Sequence, residues 1–192
     1  MRKVTVSRNT KETEVQIDLN LDGSGITEID TGAGFFDHML NLFGFHGKFD
    51  LNIKCRGDLN TGTHHTSEDV GIALGQAFTK ALGDKRGIER FGAAYLPMDE
   101  SLARVVLDLS GRPYLVYNLY FKKEQIGAMA TEDFKEFFQG FANNCLCNLH
   151  IELLYGENDH HKIEAVFKGF GRAMKKAVEI TSDSLQSTKG AL

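Results

Sequence analysis

Hydrophobic and polar positions alternate in three early stretches, at Val4–Val6, at Val15, Ile17 and Leu19, and from Ile26 to Ile29. A period of two predicts strands there. The run GFFDHMLNLFGFHG then switches to helical spacing, and Phe49, Leu51, Ile53 and Cys55 return to one face of a strand. From His64 to Leu82, the residues Val70, Ala73, Leu74, Ala77, Phe78 and Ala81 form the stripe of an amphipathic helix, stopped by Gly83. Further strands are predicted in AAYLPM, ARVVLDL and YLVYNLY, a helix in EDFKEFFQGFANN, a strand in NLHIELLY, and a last helix from about His160 into the 170s. Each half reads β-β-β-α-β-α.

The residues repeat as well as the elements. Setting His64 against His160 aligns His65 with His161, Glu68 with Glu164, Val70 with Val166 and Gly75 with Gly171. Ala77 then meets Ala173, Lys80 meets Lys176, and the Phe35-Phe36 pair corresponds to Phe137-Phe138 after a short loop shift. The chain is an internal duplication, divided at residues 1–86 and 87–192.

At 192 residues, 42% hydrophobic, it is long enough to bury a core without disulfides. A formal net charge of −4 with acids and bases interspersed provides no basic footprint for nucleic acid. No segment approaches a membrane span, the N-terminus lacks a signal-peptide pattern, and Cys55, Cys145 and Cys147 form no C-x-x-C pair. A cytoplasmic protein with buried, reduced thiols is expected.

The chemistry lies in His-His-x-x-Glu, written once as His64-His65-x-x-Glu68 and again as His160-His161-x-x-Glu164, each time at a helix start. Adjacent helical residues diverge by about 100° at 3.6 residues per turn. Two neighbouring imidazoles therefore reach different ions, while a carboxylate three or four residues on shares their face. Two such motifs point to a two-metal site. Imidazole and carboxylate without thiolate suit Mn, Fe, Co or Zn, and room for further ligands favours octahedral Mn or Fe. His38 is a candidate further ligand; His46 and His150 are weaker, and His150 is expected to be a satisfied structural histidine.

The stretches GFFDHMLNLFGFHG, THHTSEDVGIALGQA, LDLSGRPY, HHKIEAVFKGFGRAM and STKGAL together resemble the imidazoleglycerol-phosphate dehydratase family of histidine biosynthesis, in order and over essentially the whole chain. The single-function form is expected, because no Asp-x-Asp-Gly-Thr phosphatase motif precedes it. The resemblance implies an α+β fold of duplicated half-domains, two four-stranded sheets sandwiching four helices, of the ribosomal protein S5 domain 2-like kind. It implies a homo-oligomer of 24 subunits built from trimers, with sites where subunits meet. It also implies two Mn2+ ions on His38, His64, His65, Glu68, Glu136, His160, His161 and Glu164, although relatives often carry His where this chain has Glu136.

The implied reaction removes water from the glycerol chain of imidazole glycerol phosphate to give imidazole acetol phosphate. The C–H to be broken lies beside no carbonyl. Metal at both ring nitrogens would supply the missing electron sink, which accounts for a motif present twice. Glu12 is the implied acid/base group. His46, Arg90, Arg112, Lys168, Ser187, Thr188 and Lys189 are the implied substrate-binding set, the cations and the tail serving the phosphate. Asp99-Glu100 and Lys122-Lys123-Glu124 read as surface charge. Two alternatives stay open from the residues alone: a di-metal phosphoesterase, which would release phosphate, and a metal-storage assembly, which would need no phosphate-binding residues.

Overall fold

A computed structural model describes residues 2–192. Strands β1 (Lys3–Asn9), β2 (Thr13–Asn20), β3 (Thr27–Asp30) and β4 (Asp50–Gly57) form a sheet in the order β1-β2-β4-β3. Strands β5 (Phe91–Met98), β6 (Ser101–Asp108), β7 (Tyr114–Asn118) and β10 (Asn148–Tyr155) form a second, in the order β5-β6-β10-β7. Both repeat one topology. The first three strands in space are antiparallel, and the last, β3 or β7, runs parallel to its neighbour.

Between the sheets lie α1 (Gly34–Gly47), α2 (His64–Leu82), α3 (Asp133–Cys145) and α4 (Asp159–Val178). The fold is therefore the α+β sandwich that the motifs imply. Alternation is read correctly at β2, where Thr13, Val15, Ile17 and Leu19 are buried and Glu14 and Gln16 are exposed.

The pairing of the helices crosses the duplication: α1 packs on α4, and α2 on α3. Neither half keeps a helix pair of its own. The close approach explains two of the aligned glycines. A Cβ at Gly171 would lie 2.5 Å from the Phe43 carbonyl oxygen on α1, and one at Gly75 would lie 2.6 Å from the Phe141 carbonyl oxygen on α3. No side chain fits at either crossing. Around them the core is built of phenylalanine, with Phe43 stacked on Phe170 at 4.6 Å and Phe137 on Phe167 at 5.4 Å between ring centroids.

Some boundaries differ from the pattern. Strand β5 starts at Phe91 rather than Ala93, and β7 ends at Asn118. A short hairpin, β8 (Gln125–Ile126) with β9 (Met129–Ala130), follows β7 unannounced. His150 is exposed on β10, and its ring makes no hydrogen bond among the described residues, so it is not the satisfied structural histidine expected. All three cysteines are buried and free.

Candidate metal centre

Each His-His pair opens a helix, so its two rings diverge as helical geometry requires. The His64 and His65 rings are 5.9 Å apart at 90°, and the His160 and His161 rings 6.3 Å apart at 74°. Helix α4 is fixed at this end by its N-cap Asn158, whose side chain accepts from the His160 N–H at 2.9 Å.

Because α1 and α4 pack side by side, His38 meets the second motif. His160 Nε2 lies 3.1 Å and His38 Nε2 3.6 Å from the same Glu164 oxygen. One donor atom from each of the three residues falls within 4.8 Å of the others. Metal–ligand bonds of about 2.0–2.2 Å place donors around a single ion at such spacings, so this nitrogen–nitrogen–oxygen set fits a divalent cation. Burial alone would raise the Glu164 carboxyl. Lys168, with its Nζ at 2.6 Å from Glu164 Oε1, and the adjacent His38 and His160 outweigh that, and the group is held below the usual carboxylate range.

The first motif stays open within one chain. His64 Nδ1 is 3.5 Å from Asp133, a buried carboxylate that also accepts from Thr63 Oγ1 at 2.5 Å. His65 Nδ1 contacts Asp58 at 3.0 and 3.2 Å, and its Nε2 lies 3.7 Å from Glu12 in the β1–β2 turn. Glu68 is exposed, and no hydrogen bond or ion pair holds its carboxylate among the described residues. Glu136 lines a separate cleft with Tyr117, Phe121 and Lys135. Among the described residues, His38, His160 and Glu164 are the convergent group.

His161 mirrors His65. Its Nδ1 lies 2.7 Å from Glu100 and its Nε2 3.7 Å from Asp99, both in the β5–β6 turn. Asp99 and Glu100 are therefore not idle surface charge, and Asp58 and Asp133 join them as carboxylates that motif spacing missed. The hydrogen bonds raise the basicity of both rings, that of His161 through Glu100 and that of His65 through Asp58.

The residues expected to bind phosphate divide in two. Arg90 donates to both oxygens of Asp108, at 2.7 and 3.1 Å, and from Nη1 to the Gln186 carbonyl at 2.7 Å. Its guanidinium thus fixes the start of the tail. Ser187, Thr188 and Lys189 follow in a turn where Ser187 Oγ donates to the Ala191 carbonyl at 2.8 Å. The tail ends against Gly111, next to Arg112, whose exposed side chain has no hydrogen bond or ion pair among the described residues. Lys168 instead sits on Glu164, and His46 faces Lys168, Arg172 and Lys48. Burial, and after it those three cations, lower the His46 pKa from its ordinary value.

The family profile described as Imidazoleglycerol-phosphate dehydratase matches residues 31–174. An imidazoleglycerol-phosphate dehydratase of Clostridioides difficile strain 630 is 57% identical over 192 residues, covering 100% of both chains. One from Caldanaerobacter subterraneus subsp. tengcongensis is 55% identical over 194 residues, again covering 100% of both. The crystal structure of the Staphylococcus aureus N315 dehydratase superposes with a TM-score of 0.84 at 42% identity, covering 93% of this chain and 100% of that one. The Pyrococcus furiosus structure, in complex with (S)-C348, gives 0.85 at 38% identity, covering 97% and 99%. On sequence along its full length and on fold, the chain belongs to the imidazoleglycerol-phosphate dehydratase family.

Proposed function

We infer that this chain is a hydro-lyase that dehydrates imidazole glycerol phosphate to imidazole acetol phosphate in histidine biosynthesis, and that it works with two Mn2+ ions. Family membership supports the reaction. The observation that carries the metal reading is the convergence of His38, His160 and Glu164 beside a second, duplicated His-His-x-x-Glu. When bound, divalent ions supply Lewis-acid polarisation of the imidazole ring.

The protein's own groups do the rest. His38, His160 and Glu164 hold one ion, and Lys168 keeps Glu164 ionised. His64, His65, Glu68 and His161 present the remaining donors, the two diverging rings of each pair serving different ions. Glu12, beside His65 Nε2 on an exposed turn, is placed to take a proton from the glycerol chain. Arg112, Ser187, Thr188 and Lys189 gather at one end and take the phosphate, with Arg90 fixing the tail they belong to.

A second copy of the chain completes the site. The first motif lacks convergent partners within one chain, and the phosphate set falls into two clusters, around the tail and around His46 and Lys168. Both features support the homo-oligomer, 24 subunits assembled from trimers, that the family resemblance implies. The cytoplasm is the proposed compartment, since all three thiols are buried and free. Among the described residues, no helix is long and apolar enough to cross a membrane.

The assay is direct. Purified protein with Mn2+ and imidazole glycerol phosphate is expected to form the ketone product and to leave the phosphate ester intact. Release of inorganic phosphate without ketone would mean a phosphoesterase instead.

A further inference from the structure

We propose that Glu100 and Asp58 are positioning residues that fix the second histidine of each motif, His161 and His65, as the Nδ1–H tautomer and so reserve Nε2 for metal. The proposal rests on the metal reading above and adds two residues to it that the duplicated motif does not contain.

The two contacts are alike in form although their carboxylates come from different places, Glu100 from the β5–β6 turn and Asp58 from the segment between β4 and α2. In each, a carboxylate outside the motif hydrogen-bonds Nδ1, at 2.7 Å for His161 with Glu100 and at 3.0 Å for His65 with Asp58. In each, Nε2 makes no hydrogen bond, its nearest carboxylate lying 3.7 Å away, Asp99 in one case and Glu12 in the other. A carboxylate accepts and cannot donate, so a neutral ring beside it carries its proton on Nδ1. Nε2 is then an open lone pair. Metal-ligating histidines generally give their other N–H to such an acceptor, which sets both orientation and basicity.

Glu100 is itself held. Its Oε1 accepts from Ser101 Oγ at 3.0 Å and from the backbone N–H groups of Glu157 and Asn158 at 3.1 and 2.8 Å. Only Oε2 is left to face His161. Asp58 is tied through its backbone, its N–H donating to the Glu12 carbonyl at 3.1 Å, which also sets Glu12 relative to His65.

This anchoring makes Glu100→Gln a sharp test. The amide oxygen must take the three donors at Oε1, which leaves the NH2 group pointing at His161 Nδ1. A donor there stabilises the opposite tautomer, with the proton on the metal-facing Nε2. Size and backbone anchors are retained, so a purely structural role for Glu100 predicts a near-normal protein. For Asp58, whose two oxygens both face His65, the removal Asp58→Ala is the informative change.

Mn2+ binding by equilibrium dialysis and electron paramagnetic resonance reads the outcome, with the 15N shifts of the apo-protein imidazoles at alkaline pH reporting the tautomers. The expected result is that Glu100→Gln and Asp58→Ala each weaken one of two ions by roughly 10–100-fold and leave the other at wild-type affinity. Glu100→Gln should also move the His161 proton from Nδ1 to Nε2 without lowering the melting temperature. Wild-type affinity for both ions in Glu100→Gln, or an unchanged His161 tautomer, overturns the proposal. Wild-type protein that binds no divalent ion overturns the metal reading beneath it, a result the wild-type titration shows before any variant is compared.

Discussion

Replacing His161 or His65 by alanine is expected to lower kcat/KM by at least about a thousandfold and to remove one ion, with the subunit still folded. The size follows from the several kcal/mol that a Lewis acid contributes to a transition state, each 1.36 kcal/mol being about tenfold in rate. The subunit should survive because neither ring is a core element. Their side chains are 26% and 34% exposed, so truncation leaves a gap open to water rather than a buried cavity. Glu100 keeps its three other donors in the His161 variant, so no carboxylate is stranded without partners. Metal analysis, circular dichroism and steady-state kinetics on the same preparations check this. Full metal content with a near-normal rate in either variant would remove these rings from the centre.

The second large effect is in the tail. Truncation after Gln186 should leave both ions and the melting temperature unchanged, yet lower kcat/KM on the order of a hundredfold. The stability expectation comes from what is lost. The Gln186 carbonyl that accepts from Arg90 is retained. The hydrogen bonds of Ser187 to Leu192 are mostly internal, as between Ser187 Oγ and the Ala191 carbonyl, with the close approach to Gly111 added. No core residue goes. The activity expectation comes from the proposed role of Ser187 and Lys189, whose hydroxyl and ammonium would bind a phosphate remote from the bond being broken. Binding energy there holds the ring and chain in reacting geometry, so kcat and KM both suffer. An activity loss that merely tracks lost metal would contradict this, as would wild-type kcat/KM.

The strands and helices were legible because their buried faces are continuous. Val70 through Ala81 repeats at helical spacing over most of α2, and Val15, Ile17 and Leu19 alternate without a break. The β8–β9 hairpin was not legible, since two-residue strands carry no period. Nor was the crossed pairing of α1 with α4, because an amphipathic stripe reports that a face is buried and not what covers it. In the site, the repeated histidines stood out by local spacing. So did Glu164, but the carboxylate partners outside the motif did not. Glu100 precedes His161 by 61 residues and Asp133 meets His64 from another helix, so each is a lone acid in sequence and a neighbour only after folding. Arg90 shows the converse: an arginine read as open to phosphate has its guanidinium closed on Asp108 and the tail.

The central claim is that the duplicated motif holds two ions acting on one substrate ring. The most direct test is to titrate metal-free protein with Mn2+ while following bound metal and ketone formation together. The account predicts saturation at two ions per chain, with turnover rising only as the second is taken up. Full turnover in metal-free protein, or saturation and full activity at one ion per chain, would contradict it.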